Sequence, residues 1–542
     1  MNDSSTEFLG SVRANQRQLH SNLKPQYDFI VCGSGSSGSV AARRLAEDIN
    51  VSVLLLEAGG DDTERDVVEA GRWPANLGSE RDWGFVAQPN PRLNDRAVSL
   101  SMGKVLGGGA SINVMIWARG HKTDWDYFAS KAGDSAWNYE SVLNLYRQIE
   151  DWHGVPDPKY RGTGGLIFVQ PAPAPHPIVA AALEGCGSNG IPVFDHQNGR
   201  LMEGKSGASV IDMRVRDGNR QSIFRSYVFP YMNRPNLTVL TRANVDRIVF
   251  DGKRAVGVEI SHAGAHHRID AGREIVLSLG ACHTPKLLMQ SGVGDRAELQ
   301  RFGIPVIRHL PGVGANFQDH VGFDCVWESP ERLTPHNTGV ELTYFGQSEP
   351  GLDHPDIQVC LAEFTKTSAE NAAKYSPPAN SWTLFGGLER PKSRGRIRLT
   401  GAKPSDPIQI DAGFLSDPDD MKSAIACVEM CRALGNSAAM KPFTKREIMP
   451  GKLSGGELEN FIRDAAVTYW HQTCTAKMGQ DSMSVVDGSL KVHGLESLRI
   501  ADGSIMPRIT IGNTMAPCVI IGERAGQILR AEHKLDTTSL AR

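Results

Sequence analysis

The sequence predicts an α/β fold, with a Rossmann-like dinucleotide-binding domain joined to an α+β domain built on an antiparallel sheet. Three observations carry this. A β-rich run over 27–32 is followed by glycines in GxGxxG spacing, a helix-like stretch and a second β-run. Dense glycine clusters recur near 107–109, 280–294 and 488–512, far from the first. Two intervening stretches, about 161–210 and 321–454, hold β-like runs (356–363, 382–388, 394–399) and a helix over 417–434.

Taken along the chain, Met1 to Lys24 is polar and reads as a loose tail. The unit that follows is a βαβ fingerprint: Tyr27 to Cys32, then Gly33, Gly35 and Gly38, a helix from Ser39 to Glu47, and Val51 to Leu56 ending in Glu57. Gly33 permits the tight turn, Gly35 lets backbone approach a pyrophosphate, and Gly38 lets helix pack on strand. The helix N-terminus offers free N–H groups and a positive dipole end to phosphate. Glu57, with eighteen residues between it and Gly38, is placed to accept hydrogen bonds from an adenosine ribose, and its charge disfavours a 2′-phosphate. In 280–294 the spacing predicts strand end, turn and helix, with Thr284 as N-cap and Pro285 in the first turn. His266 and His267 fall in a polar, hairpin-like stretch and read as a solvated turn. Arg394, Arg396 and Arg398 alternate on one strand face, which reads as solvated.

Composition removes several functions. A formal charge of −3 and a pI near 6.6 leave no basic field for a nucleic-acid backbone. No apolar run reaches the roughly 18 residues of a membrane span. Nine cysteines without regular spacing suggest buried thiols in a reducing compartment, so a cytoplasmic location is expected. No CxxCH, paired CxxC or HExxH occurs, and no metal is expected. Glycine is in excess, 56 residues or about one in ten against a usual ~7%, and the excess gathers in the clusters above rather than in a tandem repeat.

Four ordered segments join the fingerprint: MGKVLGGGASINVMIWARG (102–120), GACHTPKLLMQSGVG (280–294), LPGVGANFQDH (310–320), and a C-terminal group holding YWHQTCTAKMG, ADGS and GNTMAP. Together, from about 27 to about 529, they resemble the glucose-methanol-choline (GMC) oxidoreductases, FAD enzymes that oxidise alcohols. The resemblance implies a discontinuous FAD domain over 27–160, 211–320 and 455–542, with the substrate domain in 161–210 and 321–454. It implies cofactor contacts from Gly33, Gly35, Ser36, Ser37, Gly38 and Glu57; from Gly108, Gly109, Ser111, Asn113 and Met115; from the main chain of Val245; from Trp470, Asp502 and Gly503; and from Asn513, Thr514 and Met515 opening the last helix. Where relatives link flavin covalently they use a histidine just before this asparagine; Ile112 stands there, so the FAD is expected to be non-covalent.

Alcohol oxidation takes a proton from oxygen and a hydride from carbon, so it needs a base beside the flavin, and histidine suits that task. The resemblance gives the role to His471, with Asn513 orienting the substrate oxygen. The chain departs from the family's HPxGT pattern, reading His471, Gln472, Thr473, Cys474, Thr475; Cys474 is expected to be packing rather than a nucleophile. The implied partners are a small alcohol (primary alcohol, polyol, sugar or aryl alcohol) and an electron acceptor, either oxygen or a quinone or dye. A non-redox enzyme on the same scaffold, such as a hydroxynitrile lyase or photodecarboxylase, and a non-catalytic flavoprotein are the alternatives.

Overall fold

The computed structural model describes residues 3–536, with side chains from Glu7 onward. Two seven-stranded sheets organise it. In the first, strands run in the order Leu237–Leu240, Val53–Leu56, Gln26–Cys32, Ala265–Leu277, Arg254–His262, Ala243–Asp251, and Leu498–Ile500 also pairs with Ala265–Leu277. The pairings from Leu237–Leu240 through Ala265–Leu277, and on to Leu498–Ile500, are parallel. Val53 to Leu56 is buried at every position, as a strand covered on both faces requires. The helix Ser36–Ala46 packs against one face together with the C-terminal helix Met515–Glu532; a Cβ on Gly522 would lie 2.6 Å from the Ser37 carbonyl oxygen, so these helices touch backbone to backbone.

The second sheet is antiparallel, in the order Arg446–Met449, Val321–Glu328, Ser381–Leu388, Ile357–Ala362, Val340–Gly346, Gly207–Val210, and the short strand Val467–Thr468 also pairs with Val321–Glu328. Its central strands are buried on both faces. One face lies under the helix Pro418–Gly435, where Gly386 accommodates Cys427 and Gly435 accommodates the Trp327 ring. The opposite face carries Phe385, whose neighbours across the ladder are Asp324 and Cys360. Of the β-runs expected in this region, 396–399 instead forms a separate hairpin with Ile408–Asp411. Among the described residues no helix is long and apolar enough to cross a membrane.

Two local expectations are corrected. The N-terminal segment is not a loose tail: Asp3–Ser21 is a helix lying along the edge strand Leu237–Leu240. Asn15 donates to the carbonyls of Met232 and Arg234, Gln16 Nε2 donates to those of Met232 and Leu237, and Gln16 Oε1 accepts from the Val239 amide. Phe8, Leu9, Val12 and Leu19 lie on the inward face, but Asn15 and Gln16 interrupt that stripe to satisfy an open sheet edge, which breaks the apolar period in the sequence. The helix after Ala265–Leu277 also begins earlier than expected, spanning Gly280–Gln290 with Leu279 as N-cap. Thr284 lies inside it and donates to Asp502 Oδ2 at 2.6 Å. Pro285, lacking an N–H, leaves the Ala281 carbonyl free, and the Thr475 hydroxyl fills that vacancy at 2.7 Å.

Deleting residues 1–21 is expected to expose the Leu237–Leu240 edge and lower the melting temperature by roughly 1 °C per kcal/mol lost, because the entropy of unfolding grows with chain length. Differential scanning calorimetry of the truncated chain checks this; an unchanged transition would assign the helix no stabilising role.

Candidate active site

A cavity of about 300 Å3 opens where the carboxyl ends of the parallel strands meet the exposed face of the second sheet. Turns after four parallel strands line it: Gly33, Gly35, Ser36 and Ser37 after Gln26–Cys32; Glu57 and Ala58 after Val53–Leu56; Ser278 to Gly280 after Ala265–Leu277; Asp502 and Gly503 after Leu498–Ile500. This is the crevice at which open α/β sheets take ligands. Val340, Cys360, Ala362 and Phe385 line the other side.

The glycine turns make a cradle for a flat, phosphate-bearing group. Gly33 holds φ +100°, and a Cβ there would sit 2.3 Å from the Ser278 carbonyl oxygen. Gly35 and Gly109 line the cavity with no protein atom within 4 Å of where a Cβ would be, so a side chain at either would fill ligand space. Gly108, Asn113, Val245, Trp470, Thr514 and Met515 also line it. Gly38, Ser111 and Met115 do not. Gly38 packs 1.9 Å, measured from a built Cβ, against the Gly33 carbonyl. The Ser111 hydroxyl donates to the Leu106 carbonyl, and Met115 is buried in a separate apolar cluster with Trp73, Ile116 and Met213.

Glu57 is buried, and burial raises its carboxyl pKa against the pull of its hydrogen bonds. It accepts from the Ser34 hydroxyl (2.6 Å), the Ser34 amide and the Gly59 amide, while Ser34 Oγ accepts from the Gly107 amide. Glu57 and Ser34 therefore tie the first glycine turn to the second. Asp502 does similar work for backbone: it accepts from the amides of Gly280 and Ser504 and from Thr284. Asn113 is held by Arg220, whose guanidinium donates to its carbonyl oxygen (2.7 Å) and its Oδ1 (2.9 Å).

At the chemical end, Asp319 shapes the turn that presents His471. Its Oδ1 accepts from the His471 amide at 2.9 Å and its Oδ2 from the Thr468 hydroxyl at 2.5 Å, and that hydroxyl in turn accepts from the Trp470 amide. Trp470 holds φ +62°, an unfavourable region for a side-chain-bearing residue that this network maintains. The ring of His471 lies between two partners. Nε2 is 3.2 Å from Asn513 Nδ2, and Nδ1 is 2.8 Å from Nδ1 of His320. Glu389 Oε1 is 3.4 Å from the same His320 nitrogen, and its other oxygen accepts from the Gly512 amide.

These groups are dry. Burial pushes the His471 imidazole down to about 3 and His320 well below its usual range, while it pushes Glu389 up to about 8 and Asp319 up to about 7. Two neutral rings facing through Nδ1 share one proton. When His471 carries it, His471 Nε2 is left with a lone pair facing the cavity. Cys474 is fully buried, does not line the cavity, and burial raises its thiol to about 12, which suits packing. Asp319, His320, Glu389 and Arg220 had no role in the sequence reading. The FQDH tetrapeptide was visible, but its partner His471 lies 151 residues away from His320.

Comparison with known proteins bears on this arrangement. The family models for GMC oxidoreductase, N-terminal and C-terminal, match residues 27–322 and 391–522. The chain is 34% identical to an oxygen-dependent choline dehydrogenase of Brucella anthropi, over 95% of this chain and 96% of that one. It is also 34% identical to the mitochondrial choline dehydrogenase of Mus musculus, over 96% and 92%. Among solved structures it superposes on pyridoxine 4-oxidase from Mesorbium loti with a TM-score of 0.88 at 28% identity, covering 94% of this chain and 99% of that one. Matched by both halves of the family and by relatives along nearly its full length, with a cavity whose glycine cradle fits a dinucleotide, the chain belongs to the GMC oxidoreductases and takes FAD as its cofactor.

Proposed function

We propose that this FAD-dependent oxidoreductase converts the CH–OH group of a small alcohol to the carbonyl, with His471 as the base and Asn513 orienting the alcohol oxygen. The observation that carries the reading is the placement of the His471 Nε2 lone pair beside the Asn513 amide on the cavity wall, with the other ring nitrogen anchored by His320. FAD, when bound, supplies the hydride acceptor. The chain's own residues do the rest. His471 receives the hydroxyl proton at Nε2, and His320 accepts the Nδ1–H bond that keeps this tautomer and ring orientation. Asn513 fixes the oxygen so that the carbon hydrogen points one way. Its Nδ2, 3.2 Å from His471 Nε2, is the donor placed to meet the alcohol oxygen. The N-terminus of the Met515–Glu532 helix, lining the cavity through Thr514 and Met515, favours negative charge on what lies there.

The relatives support an alcohol substrate: two are choline dehydrogenases and one is a pyridoxine 4-oxidase. The electron acceptor is assigned as oxygen or a quinone or dye. We assign the cofactor contacts to the lining residues named above, with 27–160, 211–320 and 455–542 as the cofactor body and 161–210 and 321–454 as the substrate body. The strand Val467–Thr468 reaches from the former into the sheet of the latter. Non-covalent FAD is supported by Ile112, a cavity-lining side chain without a nucleophile. Nine free cysteines, eight of them buried, support a reducing, cytoplasmic setting.

His471→Ala is expected to slow anaerobic flavin reduction by substrate by about 10^2- to 10^4-fold, read by stopped-flow bleaching; near-normal reduction would refute the assigned base. Because burial lowers the His471 pKa to about 3, below the ordinary 6.5, the imidazole stays neutral and competent well into acid. The flavin-reduction rate from pH 8 down to pH 5 is therefore expected to show no fall with a midpoint near 6.5. Acid precipitation is expected to release yellow flavin into the supernatant; flavin held in the pellet would show a covalent link.

A further inference from the structure

The substrate end of the cavity holds one feature that neither the catalytic groups nor the cofactor cradle uses. Lys366, in the loop after Ile357–Ala362, lines the cavity with about one fifth of its side chain exposed. Its ammonium is 2.9 and 3.2 Å from the two oxygens of Asp324, a fully buried carboxylate on Val321–Glu328, two strands away across Ser381–Leu388. The same ammonium sits 3.5 Å from the centroid of the Phe385 ring and 5.7 Å from that of Trp470. The ring of Tyr469 stacks on Phe385 at 4.0 Å, fixed by a hydrogen bond from its hydroxyl to the Phe385 carbonyl.

A quaternary-ammonium alcohol is recognised by a carboxylate or by open aromatic faces. The carboxylates lining this cavity are Glu57 and Asp502, both at the strand ends and both occupied by backbone amides. Phe385 has Tyr469 stacked on it and Lys366 over its ring. A substrate cation beside Trp470 would lie close to the Lys366 ammonium, and Asp324, buried and outside the cavity lining, offsets that repulsion only in part. Uncharged alcohols meet no such cost against Val340 and Ala362; the rings of Phe364, Trp73 and Trp470 also line this space, and a cation drawn to them still shares the cavity with the Lys366 ammonium.

We infer that Lys366, held by Asp324, is a specificity-determining residue that excludes quaternary-ammonium alcohols, so that the substrate is an uncharged alcohol with an apolar or aromatic body. The inference rests on the alcohol-oxidation reading above, and it separates this chain from the choline-oxidising relatives it matches in sequence.

The test compares three alcohols on the FAD-loaded enzyme under anaerobic conditions: choline, its carbon isostere in which a tert-butyl group replaces the trimethylammonium, and benzyl alcohol. Stopped-flow bleaching gives the reduction rate constant, and flavin difference spectra give Kd. The two uncharged alcohols are expected to exceed choline at least about tenfold in the ratio of rate constant to Kd, the scale of one partly neutralised like charge at short range. The double variant Lys366→Met with Asp324→Asn removes both charges without stranding a buried one. It is expected to bring choline and its isostere within about threefold of each other, mainly through Kd. Choline reacting as well as its isostere in the unmodified enzyme, or a ratio that the double variant leaves untouched, overturns the inference and leaves alcohol oxidation standing. Absence of bleaching by all three overturns the alcohol reading itself, and the inference with it.

Discussion

The parallel ladder around the strand Ala265–Leu277 is the constraint on which the rest depends. Its last residues, Ile275 to Leu277, pair on one side with Ile30 to Cys32 and on the other with Leu498 to Ile500. That register ends three strands from the start, middle and end of the chain at one level, so the turns after them, at Gly33, Ser278 and Asp502, face one crevice. A slip by one residue would turn every side chain of a strand to the other face and separate these turns. The hydrogen bond from the Gly280 amide to Asp502 and the close contact of Gly33 with the Ser278 carbonyl are consequences of this alignment.

The second sheet closes the crevice, and closure sets the chemistry. Its face brings Phe385, Cys360 and Lys366 opposite the strand ends, and Gly322 and Gly387 leave room for the stacked rings of Tyr469 and Phe385, which would collide with any Cβ there. His471 forms part of this wall, and His320, Asp319 and Glu389 lie buried behind it. Low dielectric keeps the imidazoles neutral and raises the acids, so the site is organised by hydrogen bonds rather than by fixed charge. The ionised groups beside the substrate space, Lys366 and Asp324, are paired with each other.

Much was legible beforehand. The βαβ unit around Gly33 to Gly38 could be read because each residue acts within about thirty positions of its partners, and His471 and Asn513 could be read through motif likeness. What escaped reading was of two kinds. The N-terminal helix, the earlier start of Gly280–Gln290 and the Ser34 to Glu57 link depend on polar side chains bonding to backbone or to each other, which apolar periodicity does not report. His320, Glu389 and Lys366 depend on strands that pair across long separations, and nothing in local spacing says that His320 meets His471. Ser111 and Met115 show the converse. They belong to a motif whose glycines line the cavity, yet they serve packing.

By itself the sequence determined the fold class and the glycine turns, because each rests on short-range geometry: a turn that needs glycine, a strand that needs apolar residues on both faces; the identity of the cofactor came through motif likeness to the family. Only the tertiary structure decided which groups surround His471, that burial favours their neutral forms, and that Lys366 lines the cavity beside Phe385 and Trp470. Those properties follow from burial and from contacts between residues some 40 to more than 150 positions apart, and neither exists until the two sheets have closed on each other.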